Sequence, residues 1–241
     1  MAGPSGNALV TSVVDRVVAP NQAAPSPVRV KLSDPIIADR GRALIVRDRY
    51  LAALEDERRP IIVDLNGVHV LTAPAADELL VRWLERARSP RNPLVVAFAT
   101  FVQDIRETVA TSLLQGRQAA YIINSLPRDE RWPLREYPDV AGDVTAAQRE
   151  TVTALARMPG GIATARRFAE AMTSVGDKEM TPTGATNRLN DCVALGLLLR
   201  LSQPRTTGDS FIYPWRVEPF VPKTPATAGN GGRPTSRTAS R

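Results

Sequence analysis

The chain has 241 residues, 43% hydrophobic and 23% charged, with a formal net charge of +6. That length suits one large domain or two ordinary ones, and the apolar share is near the globular average, so a sizeable core is expected. The single cysteine, Cys192, excludes an intrachain disulfide, and with one histidine, His69, a zinc site built mainly from His and Cys ligands is out of reach of one chain.

The charge is uneven. Lys223, Arg233, Arg237 and Arg241 fall after Pro219 with no acid among them, so the rest of the chain carries only +2. Net charge alone is therefore a weak argument for an anionic partner. No stretch reaches the roughly 20 apolar residues that span a bilayer. The first residues have neither a basic start nor a long apolar core, so no secretory signal is expected. A cytoplasmic location without membrane attachment is the natural expectation, and one lone thiol suits a reducing compartment.

Residues 1–27 are rich in Ala, Pro and Ser around one apolar island, ALVTSVVDRVVA, and read as a flexible leader. From Val28 strands and helices alternate. VRVKL reads as a strand, GRALIVRDRYLAAL as a helix, PIIVDLNGV as a buried strand and APAADELLVRWLERAR as a helix. PLVVAFAT, VQDIRETVATSLLQ and QAAYIIN then repeat strand, helix, strand. Such alternation over 28–125 predicts an α/β layer with a mixed or parallel sheet. Residues 126–142 hold three prolines, many charges and no period, and read as a linker.

From Asp143 the pattern changes to short helices. Thr145 and Gln148 have the spacing of a capping box, and TAAQRETVTALARM follows as a helix stopped by Gly160 and Gly161. TARRFAEAM is a second helix. Thr181 caps a third, with Pro182 at its first position and Gly196 at its end. LLLRLS and FIYPWRV read as two strands joined by a polar loop containing Arg205. Residues 219–241 are of low complexity and are expected to be disordered.

On the third helix, at 100° per residue, Ala185, Leu189 and Cys192 form an inner stripe. Thr183, Asn187 and Asn190 lie on the far side, with Thr186 and Arg188 on the flanks. Three helices followed by a hairpin, over 143–218, resemble a winged helix-turn-helix, and the third helix is similar to the recognition helix of bacterial winged-helix repressors. That resemblance implies binding to double-stranded DNA. Asn side chains pair with adenine edges, Thr contacts bases or phosphate, and Gly184 lets the backbone approach closely. Arg166 and Arg167 on the second helix and Arg205 in the wing are the expected phosphate contacts. Residues 141–218 nevertheless hold nine cations and eight acids. This near-neutrality keeps open a second reading, a protein-interaction adaptor that uses the same helix face.

ADRGRAL (Ala38–Leu44), VDLNGV (Val63–Val68) and ADELL (Ala76–Leu80) resemble the uncharacterised STAS-like family of bacteria and phages, over about residues 28–125. STAS domains are small, non-enzymatic α/β modules, some of them switched by a phosphoserine at a helix start. The resemblance implies a unit that binds a protein partner or a signal. Here the corresponding stretch is LTAPAADELL, where Ala73 and Pro74 carry no hydroxyl. Thr72 is the only candidate for a regulatory phosphate, with capping or turn bonding as its ordinary role. Asp77 and Glu78 complement the dipole of their helix and have Arg40 or Arg42 as expected partners. Asp64 is expected to bond Arg40, and His69 to be a solvated residue at a strand end.

No phosphate-cradling Gly-rich loop, GxSxG, HExxH or CxxC occurs. The expected fold is thus an α/β STAS-like domain followed by an α+β winged helix-turn-helix. The expected function is transcription regulation without catalysis or cofactor, by a homodimer if paired half-sites are read.

Overall fold

Residues 25–89, 93–124, 126, 134, 136–175, 179–201, 209–215 and 217 are described by the computed structural model, from which the following geometry is taken. In chain order the first part contains β1 (Val28–Lys31), β2 (Ile36–Ile37), α1 (Arg40–Tyr50), β3 (Ile61–Asp64) and β4 (Val70–Leu71). Next come α2 (Ala73–Ala76), a π turn (Asp77–Val81), α3 (Arg82–Ala87), β5 (Val96–Ala99), α4 (Gln103–Gln115), β6 (Ala119–Ile123) and β7 (Asp139–Gly142). The main sheet runs β1-β3-β5-β6-β7. Its first four strands are parallel and β7 is antiparallel to β6. β2 and β4 form a separate parallel pair.

Local chemistry sets the helix limits. Asp39 accepts the Arg42 amide at 2.9 Å and caps α1. α2 opens with Pro74 in its first turn, where a missing N–H is not needed.

The second part begins with α5 (Ala146–Arg157), closed at its start by the expected capping box: the Gln148 amide donates to Thr145 Oγ1 at 3.3 Å, and the Thr145 amide to Gln148 Oε1 at 2.9 Å. Then come β8 (Ile162–Thr164), α6 (Ala165–Val175), α7 (Pro182–Ala194), β9 (Leu199–Leu201) and β10 (Ser210–Ile212). The three strands form an antiparallel sheet in the order β8-β10-β9. The whole is a mixed α/β protein, as its strand–helix alternation predicts.

Successive residues of β3, β5 and β6 point to opposite faces of the main sheet. Val63, Val96, Phe98, Ala120 and Ile122 pack with α1, α3 and α4 through Val46, Trp83, Leu84, Val109 and Leu113. Ile62, Val95, Ala97, Tyr121 and Ile123 face the other way, into a cluster with Leu155, Phe168, Leu189, Cys192, Leu197, Leu198 and Trp215. The second part therefore covers the far face of the first part's sheet. Uncovering Ile62, Val95, Tyr121 and Ile123 would cost roughly 6–12 kcal/mol at about 1.5–3 kcal/mol each. That is as large as the ~5–15 kcal/mol that stabilises a whole domain. The two parts accordingly behave as one body.

The segment expected as a linker over 126–142 takes part in this body. Asp139–Gly142 is the edge strand β7, Leu134 is buried, and Tyr137 meets Tyr213 with ring centroids 6.2 Å apart. Nearly all of the expected leader (1–27) and the whole tail (219–241) lie outside the described residues.

Candidate nucleic-acid interface

α7 is fixed at both ends and along one side. Thr181 Oγ1 accepts the Gly184 amide at 3.1 Å, and Pro182 occupies the first turn. The carboxy end is a Schellman turn: the Leu197 amide reaches Cys192 O at 2.9 Å and the Gly196 amide reaches Val193 O at 2.9 Å. Gly196 has φ +68°, and a Cβ there would lie 2.3 Å from Leu94 O and 2.8 Å from Arg88 Nη2. Only glycine lets the chain leave α7 against the first part. Tyr121 adds a buried hydrogen bond across the same boundary, its hydroxyl donating to Leu197 O at 2.5 Å.

Ala185, Leu189 and Cys192 are buried, as the inner stripe predicts, and Val193 is buried with them. Burial pushes the Cys192 thiol up to about 12, so it sits in the core as a neutral small hydrophobe. On the other side Thr183 and Asn187 are exposed, and Gly184, Thr186, Arg188 and Asn190 are half-buried. None of their side chains is sealed against the main sheet. The Thr186 hydroxyl donates back to Pro182 O at 2.9 Å, which leaves it only as an acceptor toward a ligand. Arg188 faces Glu150 of α5 at 3.6 Å.

Asn190 Oδ1 lies 3.5 Å from Arg200 Nη1, and Arg200 Nε donates to Asp209 at 2.7 Å. Arg200 thus joins the polar border of α7, a residue that sequence reasoning passed over. Its signal was present: it is the one charge in the apolar run LLLRL. Arg166 and Arg167 occupy the first turn of α6. Arg166 pairs with Glu170 at 3.0 Å, whereas Arg167 is exposed, with its amide held by Thr164 Oγ1 at 3.3 Å. Arg205 lies outside the described residues.

In the first part, Thr72 occupies the cap position of α2 without making a capping bond. Its hydroxyl donates to Ala38 O at 2.7 Å instead and ties the end of β4 to the entry of α1. Asp77 pairs with Arg40 at 3.2 Å, as expected, and Glu78 pairs with Arg47 at 2.5 Å. Arg42 turns to Asp34. Asp64 is 1% exposed and bonds Arg29 at 2.7 Å, not Arg40. The parallel register puts Lys31 opposite Asp64, so Arg29, two residues earlier on the same strand, shares that side of the sheet. Asp64 also accepts the Asn66 amide and side chain, at 3.0 and 2.7 Å, which makes it a brace for the turn after β3. His69 is exposed.

No family model matches the chain, and neither the curated proteins nor the solved structures contain a significant match to it.

Proposed function

We propose that the protein is a non-catalytic, DNA-binding regulator whose carboxy-terminal part is a winged helix that reads duplex DNA through α7. The observation that carries this reading is the two-sidedness of α7. Its aliphatic side is anchored in a core shared with the main sheet, while Thr183, Asn187, Arg188 and Asn190 face outward. The element order α5-β8-α6-α7-β9-β10, with sheet order β8-β10-β9, also suits a winged helix. In that arrangement the outward residues near the start of the helix meet base edges, and Arg166 and Arg167 meet phosphates.

The amino-terminal part fits a STAS-like unit that binds a protein partner or a signal. Ile36 and Val70, opposite each other in the β2–β4 pair, are 58% and 43% exposed and offer an apolar contact surface. Thr72 stays the candidate for a regulatory phosphate, and phosphorylation there would break its bond to Ala38 O, which ties β4 to the entry of α1. A homodimer reading paired half-sites, in the cytoplasm, is the corresponding assembly.

The test is binding to a selected duplex measured by fluorescence anisotropy across a salt series. Affinity should fall steeply with salt. Asn187→Ala should weaken the selected site roughly 5- to 100-fold, the discrimination carried by one bidentate contact, and leave random DNA nearly unchanged. Absence of binding at low salt overturns the reading. A second reading is favoured by one observation: Arg166, Arg188 and Arg200 each face a carboxylate, so the surface is nearly neutralised. In that reading the α7 face is a protein interface, and capture of one protein partner that persists after nuclease treatment would distinguish it.

A further inference from the structure

We propose that the cleft between β7, α5 and the residue following β10 binds a small aromatic carboxylate. The cleft encloses about 280 Å³. Tyr213 is its floor, 5% exposed, with its ring edge-on to Tyr121 at 6.0 Å. Tyr137 stands at the mouth, 53% exposed, and touches Tyr213 at a tilt of 56°. Val152 and Ala156 form an apolar wall on α5. An aromatic ring left half-uncovered beside a buried one, over an aliphatic wall, is the surface that a planar ligand would complete.

The charge of the cleft selects the ligand further. Among the described residues its charged lining is Arg149, Arg157 and Asp139. Asp139 is already engaged by Arg106, which removes it as a competitor. Arg149 is pinned at the rim by donating Nη1 to Val140 O, which leaves other N–H groups of its planar fork unused there. Arg157 is exposed and makes no ion pair among the described residues. Two guanidinium groups beside aromatic and aliphatic walls suit a carboxylate on a flat ring, held by charge-assisted bonds. Burial and the neighbouring Tyr137 raise the Tyr213 hydroxyl above its ordinary value, so it adds no negative charge beside the carboxylate.

Two features argue against a nucleotide or a free phosphate. The volume lies at the lower bound for ligand pockets, about 300–1,000 Å³, and accommodates roughly one ring. α5 lines the cleft from Arg149 to Arg157, and its capped start over Thr145–Gln148 lies outside the lining.

Salicylate is the probe and salicylamide its neutral counterpart, both titrated calorimetrically into the full chain. Saturable one-to-one salicylate binding is expected, with salicylamide at least about tenfold weaker for want of the ion pair. Arg157→Gln should weaken salicylate about tenfold. Because Arg157 supports no other described contact, this variant keeps the fold, as an unchanged melting temperature would show. Ala156→Leu should fill the cleft and abolish binding. The proposal is overturned if salicylate shows no saturation up to about 10 mM, beyond which affinity falls below a few kcal/mol. It is equally overturned if salicylamide binds as well, or if Arg157→Gln binds unchanged.

Discussion

Replacing Gly196 by Ala tests how α7 is joined to the rest of the molecule. Two costs add at this position. The backbone is at φ +68°, where an L-residue pays about 1–2 kcal/mol. The new methyl also meets Leu94 O at 2.3 Å and the Arg88 guanidinium at 2.8 Å, and forcing such a contact costs about 1–3 kcal/mol. The sum is about 2–5 kcal/mol. Gly160→Ala is the matched control: its φ is +69°, and nothing lies within 4 Å of its added Cβ. It should show the backbone cost alone. In urea, with a slope of about 2 kcal/mol per molar, Gly196→Ala should lower the midpoint by roughly 1–2.5 M and Gly160→Ala by about 0.5–1 M. Both should unfold in one transition whether followed by fluorescence or by circular dichroism. Equal midpoints for the two variants would show that the exit of α7 does not rest on Leu94 and Arg88.

Cys192 should resist a thiol reagent in the native protein and react only on unfolding, since burial holds its thiol up at about 12; fast native-state labelling would contradict the inner stripe. Arg88→Met should fall within about 1 kcal/mol of the parent in a denaturant titration. It loses bonds to Leu94 O and Gln118 Oε1, both 3.1 Å, but relieves a guanidinium that burial pushes down to about 9. A loss well beyond that range would mean that the two bonds outweigh the burial. Bonds from the Arg59 side chain and amide hold Glu57 down at about 2, against an ordinary 4.5. This contribution is therefore present above pH 4.5 and lost as pH falls from 4.5 toward 2. Glu57→Gln should flatten that part of the stability profile by no more than about 1 kcal/mol, because the pair is near the surface; an unchanged slope would refute it.

The helices were the most legible elements because their signals are local. Thr145 with Gln148, and Thr181 with Pro182 and Gly196, mark helix ends through bonds made within a few residues. The strands β7 and β8 were not legible. Each is three or four residues long, too short for a period, and each exists because a partner offers its edge: β6 for β7 and β10 for β8. Asp64 pairs with Arg29 and not Arg40 for the same reason, since only the register of β1 on β3 brings Arg29 near. One non-local feature is written in the chain: IIV, VAFA and AAYII are apolar at successive positions, the pattern of a sheet covered on both faces. Of the candidate site, the outward residues of α7 followed from helical geometry. Arg200 did not, because its place beside Asn190 depends on how the hairpin folds back.

Tyr121 and its strand neighbours bear on how the chain can be taken apart. Neither half is a cassette. Cut before α5, the amino-terminal piece would present a bare aliphatic floor holding Ile62, Val95 and Ile123 to water, and it should precipitate or capture any greasy surface it met. Fusions that borrow only the carboxy-terminal piece would strand Leu197 and Trp215 in the same way. Any truncation or fusion must therefore keep the two faces of that cluster together.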